Sequence, residues 1–333
     1  MIRLAFSILL FMFVNRGFAQ KKVDFGFTHH TLKTKELETV DFYVRGEGSE
    51  KPLLLYLDGS GPYPLFQKIK MGMGSTVILD LRKVAQEFCV VLIGKPGVPF
   101  SDSVTTRPDG YPIYPEPPAY QRLLSLEWRV ESANQVIQYV LKNRLANSSK
   151  VVVFGFSEGA QVAPSLAVRN KSVTHLVCFG GNGLNQLYDP IIQTRMKMAL
   201  GQYTPEHAQH IVDSLLSTYR EIYRSPNEVG RRWYGHTYKR WFGFAANAPV
   251  DQLLTLSIPI YWVNGGLDEN PILSSDFIGL AFIDAGKTNF THKVYPNYDH
   301  SLNEVIKKEG QITQVIPRYD EVIEAAFDWL AKH

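Results

Sequence analysis

The sequence predicts an α/β protein with a mostly parallel central sheet that helices cover on both faces. Short runs of consecutive apolar residues alternate with longer segments whose apolar residues recur every third or fourth position. Parallel strands that are covered on both faces need apolar residues at every position, whereas a surface helix needs them on one side only. Several of the apolar runs lead directly into turns rich in Gly or Pro. Open α/β sheets place their binding sites at such strand ends.

Five apolar runs without alternation are the predicted core strands: residues 53–57, 89–93, 151–154, 176–179 and 258–263. Residues 292–295 predict the last strand. Two opening segments alternate apolar and polar residues and predict an antiparallel pair at a sheet edge: residues 23–32 and 38–44. Helical periodicity predicts helices over residues 79–87, 126–145, 161–169 and 320–332.

The spacing of these elements predicts one α/β domain over residues 20–333 with an insertion. Residues 184–256 separate two core strands and have the pattern of several helices rich in Tyr, Trp, Arg and Lys. We expect them to form a helical cap over the strand ends. Residues 101–121 are crowded with Pro, Tyr and Gly, and we expect an ordered loop near the same rim.

Residues 1–19 have the pattern of a secretory signal peptide. Arg3 supplies a positive start, residues 4–14 are a nearly unbroken apolar run, and Gly17 and Ala19 are the small residues that a signal peptidase recognises. The alternative is a short membrane anchor, but this run is only about half of the ~20 residues that a spanning helix needs. We therefore expect export to the periplasm or the medium, with no stable membrane anchor after cleavage.

Charge and cysteine content argue against several classes of protein. The formal net charge of +3 on 333 residues is small and scattered, so nucleic acid is not an expected partner. Cys89 and Cys178 lie inside apolar runs and are expected to be small core residues, the alternative being a disulfide between them. His207 and His210 lie three residues apart but lack an evident third ligand, so no metal site is expected.

The strongest chemical signal is Gly155-Phe156-Ser157-Glu158-Gly159, between a predicted buried strand and a predicted helix. A serine on such a tight turn is lifted clear of the sheet, and small flanking residues let the chain bend sharply. Ser157 is therefore the candidate nucleophile.

A serine hydroxyl needs a general base within hydrogen-bond reach, and the base needs an acid that orients it. His300 follows the last predicted strand and is the candidate base, while Asp268 follows the strand before it and is the candidate acid. Glu269 is a neighbouring alternative to Asp268. Asp299 is a further rival, although its adjacency makes a bond to the His300 ring awkward.

These motifs resemble those of the α/β-hydrolase superfamily. The turn at Ser157, the Gly-Gly-Leu-Asp turn at Asp268 and the Tyr-Asp-His turn at His300 match the superfamily's pattern, in its chain order, over nearly all of the chain after residue 19. The resemblance implies the fold and a hydrolytic Ser-His-Asp triad, and it favours Asp268 over Glu269.

The same mechanism calls for two N–H donors that stabilise an oxyanion. The resemblance implies that the backbone N–H of Glu158 is one and that Gly59 or Ser60 supplies the other. The chain has Asp58-Gly59 where a His-Gly start is common, which leaves the second donor open.

Together these features predict an exported serine hydrolase that cleaves a carboxylic ester-type bond of a small-molecule ester or short acyl substrate through an acyl-enzyme, without metal or organic cofactor. A peptidase or thioesterase would use the same triad, and a non-catalytic binding protein on this fold is a third alternative. Residues 231–241 mix cations with aromatic rings and either contact the substrate or form a solvated helix face.

Overall fold

The computed structural model describes residues 21–70, 72–107, 112–268 and 271–333. The predicted signal peptide at residues 1–19 lies outside the described residues, as does Glu269.

In chain order, the strands of the described chain are β1 Lys21–Val23, β2 Phe27–Thr34, β3 Glu38–Arg45, β4 Pro52–Leu57, β5 Phe66–Ile69, β6 Gly72–Ser75, β7 Cys89–Ile93, β8 Ser101–Ser103, β9 Thr105–Thr106, β10 Pro112–Ile113, β11 Asn147–Phe156, β12 His175–Phe179, β13 Arg232–Trp233, β14 His236–Thr237, β15 Ile260–Gly265, β16 Phe290–Tyr295, β17 Asn303–Lys308 and β18 Gln311–Pro317. The helices are α1 Leu81–Glu87, α2 Pro118–Leu123, α3 Leu126–Lys142, α4 Glu158–Arg169, α5 Asp189–Ala199, α6 Pro205–Arg224, α7 Tyr238–Ala245, α8 Pro249–Leu254, α9 Pro271–Asp284 and α10 Tyr319–Lys332.

The centre of the fold is a nine-stranded sheet in the order β1-β2-β3-β7-β4-β11-β12-β15-β16. The strands from β7 to β16 pair in parallel, and β1, β2 and β3 add an antiparallel edge. The predicted mostly parallel sheet is confirmed, and so is the antiparallel pair at its edge. Parallel pairing brings the carboxyl ends of the central strands to one side of the molecule, where the candidate site lies.

Helices cover both faces of this sheet. On β11, Val151 and Val153 face one apolar layer, which packs against α3, α4, α8 and α9, while Val152 and Phe154 face a second layer against α1 and α10. Because successive side chains of a strand point to opposite faces, burial of both faces requires the unbroken apolar runs seen in the sequence. The predicted double covering is confirmed.

Both cysteines are buried and unbonded. Cys89 begins β7 and Cys178 lies on β12, two strands that β4 and β11 separate. Burial raises the pKa of the Cys89 thiol to about 12 and raises that of Cys178 as well. Their prediction as core residues is confirmed, and the alternative of a disulfide between them is wrong.

Several elements differ from the sequence prediction. Helix α9 was not predicted, because its apolar residues occur on all sides: Ile278 and Phe282 are buried, while Leu280 and Ile283 are exposed. The β17–β18 hairpin was also not predicted, so β16 is the last strand of the main sheet but not of the chain. The described part of residues 101–121, which were predicted as an ordered loop, contains the short strands β8, β9 and β10 and the start of α2.

Residues 184–256 form mainly helices, together with the short β13–β14 hairpin. Helices α6 and α7 build a small apolar cluster of their own, which includes Tyr219, Ile222 and Trp241. Helix α8 instead packs into the main core through Val250 and Leu253. The part of this segment that has a separate core therefore ends with α7, before the predicted boundary at residue 256.

Candidate functional site

Ser157 lies on the turn between β11 and α4, in a conformation that few residues adopt. Its φ is +55° and its ψ is −116°, a strained backbone that the neighbouring contacts hold in place. A Cβ on Gly155 would lie 2.5 Å from the Gly159 carbonyl oxygen, and one on Gly159 would lie 2.0 Å from the Leu57 carbonyl oxygen. The two glycines of the motif are therefore needed so that the turn can pack against its own helix and against β4.

The structure brings Ser157, Asp268 and His300 together at the carboxyl ends of three strands. His300 Nε2 lies 3.0 Å from Ser157 Oγ, and His300 Nδ1 lies 2.6 Å from Asp268 Oδ2. Asp268 is buried, whereas His300 is partly exposed to the cleft. This is the geometry that a general base needs in order to take the serine proton while a carboxylate orients the ring.

The pKa of His300 follows from its neighbours. Burial alone would lower its pKa, but the hydrogen bond with Asp268 and the negative charges of Asp268 and Asp299 outweigh burial and raise the pKa above its ordinary value. Asp299 does not compete for the ring, because its side chain accepts the backbone N–H groups of Ser301 and Asn303, both at 2.9 Å. Asp299 thus holds the turn that carries His300.

The turn after β4 reaches Ser157. A Cβ on Gly59 would lie 3.4 Å from Ser157 Cβ, and Ser60 lines the same cleft as Ser157 and His300. Arg129 Nη2 donates to the Asp58 carbonyl at 2.9 Å, and Lys95 Nζ donates to the Gly59 carbonyl at 2.6 Å. In a trans peptide the N–H points opposite to the carbonyl, so these bonds direct the N–H groups of Gly59 and Ser60 away from the two cations. Both residues remain candidates for the second donor, beside Glu158.

Beneath this turn lies a buried ion network that the sequence analysis did not predict. Asp58 pairs with Lys95 and Arg129, both at 2.8 Å. Glu158 pairs with Arg129 at 2.6 Å and with Arg240 of α7. Each of the five side chains is at most 5% exposed.

The network connects the turn at Asp58, the residue after Ser157 and helix α7. Burial by itself would raise the pKa of Glu158, but the charges of Arg240, Arg129 and Lys95 hold that pKa far below its usual range. Burial lowers the pKa of Lys95. A sequence signal did exist, since Asp58 directly follows one continuous apolar strand and Lys95 lies two residues after another, where a charged side chain must find a buried partner.

Ser157, Asp268 and His300 line a cleft of about 580 Å³. From residues 231–241, for which the sequence left substrate contact open, Trp233, Tyr234, His236, Arg240 and Trp241 line it. Arg231 and Arg232 instead pair with Glu221 and Glu116 outside the cleft. Burial, followed by the charge of Arg240, lowers the pKa of His236 to about 3, so this ring is neutral at pH 7.

Within the described residues, no group of three or more His, Cys, Asp or Glu side chains is arranged so that it could hold a metal ion. His207 and His210 lie on the exposed side of α6. No helix among the described residues is both long enough and apolar enough to cross a membrane.

No protein-family model matches the chain, and no curated protein matches it. Solved structures do match. The α/β hydrolase GrgF from Penicillium sp. sh18 is 12% identical with a TM-score of 0.54, over 92% of this chain and 98% of that one. An acylaminoacyl peptidase is 12% identical with a TM-score of 0.55, over 92% of this chain and 42% of that one.

Dipeptidyl peptidase 4 from Porphyromonas gingivalis is 11% identical with a TM-score of 0.53, over 92% of this chain and 35% of that one. The chain therefore spans only about a third to two fifths of the length of these peptidases. At such low identity the likeness shows the fold alone.

Proposed function

We propose that this chain, which has the α/β-hydrolase fold, is a serine hydrolase that cleaves an acyl bond through an acyl-enzyme on Ser157. The observation that carries the proposal is the 3.0 Å contact between His300 Nε2 and Ser157 Oγ, with Asp268 on the other ring nitrogen. A hydroxyl, a base and an orienting carboxylate in this order are the parts that nucleophilic catalysis by serine needs.

The proposed reaction has two halves. Ser157 Oγ attacks the substrate carbonyl carbon while its proton passes to His300 Nε2, and the resulting oxyanion accepts N–H bonds from Glu158 and from Gly59 or Ser60. The tetrahedral intermediate collapses, the bond to the leaving group breaks, and His300 returns the proton to that group. Water then attacks the acyl-enzyme with His300 again as base, which releases the acid and restores Ser157.

The sequence analysis predicted an enzyme that cleaves a carboxylic ester, with a peptidase or a thioesterase as the alternatives. The similar structures include several peptidases, which supports the peptidase alternative even though the likeness itself concerns only the fold. We therefore place hydrolysis of a small peptide-like amide ahead of ester hydrolysis. The residues of the triad serve both reactions without change.

Matched substrates test whether the protein hydrolyses an amide or only an ester. A 4-nitroanilide and a 4-nitrophenyl ester that share one acyl group are offered to the protein and to a Ser157→Ala variant. Measurable turnover of the anilide that is lost in Ser157→Ala supports a peptidase, whereas turnover of the ester alone supports an esterase. Turnover of neither substrate across a panel of acyl groups, by a protein shown to be folded, points to the non-catalytic binding protein.

We also propose that the protein is exported and that residues 1–19 are removed. The support is the pattern of a positive start, an apolar run and small residues before Gln20. Amino-terminal sequencing of the protein from the periplasm or the medium should find Gln20 first. A protein that stays in the cytoplasm with Met1 in place would contradict export.

A further inference from the structure

One wall of the cleft carries three oxygen atoms that have no hydrogen-bond partner among the described residues. They are Asn182 Oδ1, Gln186 Oε1 and Asp189 Oδ1, and each is almost inaccessible. All three residues line the cleft that also holds Ser157 and His300. Asn182 is only 2% exposed, and its Nδ2 donates to Asp189 Oδ2 at 2.7 Å, which leaves its Oδ1 free to accept.

Buried polar atoms in folded proteins nearly always have partners, so three orphan acceptors on one wall call for a donor from outside the chain. A primary ammonium group carries three N–H donors and no acceptor, which matches the number and kind of unpaired atoms. A hydroxyl would satisfy only one of them with its single hydrogen.

The charges in the cleft favour a cation at this wall. Burial raises the pKa of Asp189 to about 7, the hydrogen bond from Asn182 opposes this rise, and the charge of Asp268 adds to it. His300 is hydrogen-bonded to Asp268, and Arg240 is paired with Glu158, so neither side chain is available to Asp189. A ligand cation would therefore supply the positive partner that Asp189 lacks.

The aromatic side chains that line the cleft also favour binding of an ammonium group. Trp233, Tyr234 and Trp241 line it together with the three acceptors, and aromatic faces attract ammonium groups. Arg240 Nη1 also lacks a partner, which taken alone would favour an anion. However, Arg240 also borders a separate space of about 10 Å³ beside Tyr120, room for a single water, so its free N–H does not require a ligand.

We propose that Asn182, Gln186 and Asp189 form a subsite that binds a primary ammonium group of the substrate. The subsite rests on the proposed function, because it selects among substrates of Ser157. It narrows the substrate class to acyl compounds with a free amine, such as peptides or aminoacyl derivatives whose amino group is not blocked.

Pairs of inactivators that differ only in the end of their chain test directly whether the subsite binds an ammonium group. Diphenyl alkylphosphonates phosphonylate an activated serine with loss of phenol, and they can be made with a chain that ends either in –CH₂NH₃⁺ or in –CH₂CH₃. The readout is the ratio of second-order inactivation rates for the two ends, at several chain lengths. We expect a ratio of at least about 10 at the best length, which corresponds to about 1.4 kcal/mol.

Asp189→Asn keeps the shape of the side chain but removes its charge, and it should bring the ratio to within about twofold of one. Gln186→Met removes one acceptor and should lower the ratio only in part. Asp213→Asn is the matched control, because Asp213 is an exposed carboxylate on α6 that bonds Gln209 outside the cleft, and this variant should keep the full ratio.

The outcomes separate this subsite from the proposed function. A ratio near one in the unaltered protein, with efficient labelling by the methyl-ended probe, would overturn the subsite and leave the serine hydrolase standing. A high ratio that survives in Asp189→Asn would also overturn it. If neither probe labels Ser157, the proposed function fails and the subsite fails with it.

Discussion

The buried ion network predicts that two substitutions will separate stability from turnover. It holds three cations, Lys95, Arg129 and Arg240, against the two carboxylates of Asp58 and Glu158. Glu158→Gln keeps the size of the side chain and the backbone N–H but leaves three buried cations facing one carboxylate. Lys95→Met removes one cation and leaves two charges of each sign.

The pKa shifts give the direction of each effect. The depressed pKa of Glu158 means that the folded protein favours its charge, whereas the lowered pKa of Lys95 means that burial disfavours the ammonium. Breaking a buried pair from one side costs about 3–5 kcal/mol, so Glu158→Gln should lower the free energy of unfolding by that amount. Lys95→Met should cost less, about 1–3 kcal/mol, because the ammonium no longer has to be desolvated.

The loss of kcat should instead be larger for Lys95→Met than for Glu158→Gln. Lys95 Nζ donates to the carbonyl oxygens of Gly59 and Gly61, at 2.6 and 2.7 Å, and so fixes the turn that carries the proposed second oxyanion donor. Loss of one such donor costs about 10²- to 10³-fold in kcat, so Lys95→Met should lower kcat by about 10²-fold. Glu158→Gln leaves both bonds in place and should lower the kcat of the folded fraction less.

Urea unfolding followed by tryptophan fluorescence gives the stability, and initial rates on a hydrolysed substrate give kcat. The matched controls are Lys83→Met and Glu324→Gln, which remove an exposed ion pair of 2.7 Å and should leave the unfolding midpoint nearly unchanged. The reasoning would be refuted if Lys95→Met destabilised the protein as much as Glu158→Gln did, or if it retained full kcat.

Three further predictions follow from the site and the core. Because the pKa of His300 is raised, kcat/KM should fall as the pH is lowered through a midpoint above the ordinary 6.5. Asp268→Asn should move that midpoint to lower pH and lower kcat by about 10⁴-fold. A midpoint that does not move in the pH profile of Asp268→Asn would argue against the His300–Asp268 pair. Gly159→Ala would place a Cβ 2.0 Å from the Leu57 carbonyl oxygen and should lower the melting temperature sharply. Gly279→Ala in α9, with open space around it, should leave the melting temperature unchanged or raise it, because Ala stabilises a helix by up to about 1 kcal/mol relative to Gly; equal melting temperatures of the two variants would contradict the close packing of the turn. Cys89 and Cys178 should react with a thiol reagent only after denaturation, and prompt reaction of the native protein would show that they are not buried.

Much of the architecture was predictable because the buried strands leave a simple signature. Strands β4, β7, β11, β12 and β15 are covered on both faces and appear in the sequence as unbroken apolar runs. The residues at their carboxyl ends could then be placed at one rim without knowledge of any side-chain contact. That is how Ser157, Asp268 and His300 could be predicted as neighbours although 143 positions separate the first from the last.

What the sequence could not predict depends on contacts between distant segments. Arg129 lies on α3 and Arg240 on α7, and in the sequence neither differs from an arginine on the surface of a helix. Only the folded structure shows that both pair with Glu158. Likewise, Asn182, Gln186 and Asp189 are ordinary loop and helix residues, and only the absence of partners for their oxygens among the described residues marks them out. No residue of the β17–β18 hairpin belongs to either apolar layer of the main core, so burial does not dictate its sequence pattern.

The central claim is that Ser157 is an activated nucleophile, and covalent labelling tests it most directly. Purified protein is treated with a fluorophosphonate, digested and analysed by mass spectrometry, beside a His300→Ala variant that lacks the base. The account predicts modification of the peptide that contains Ser157, with a large loss of rate in His300→Ala. Modification of another serine in the cleft, such as Ser60, or no modification of a protein shown to be folded, would contradict it.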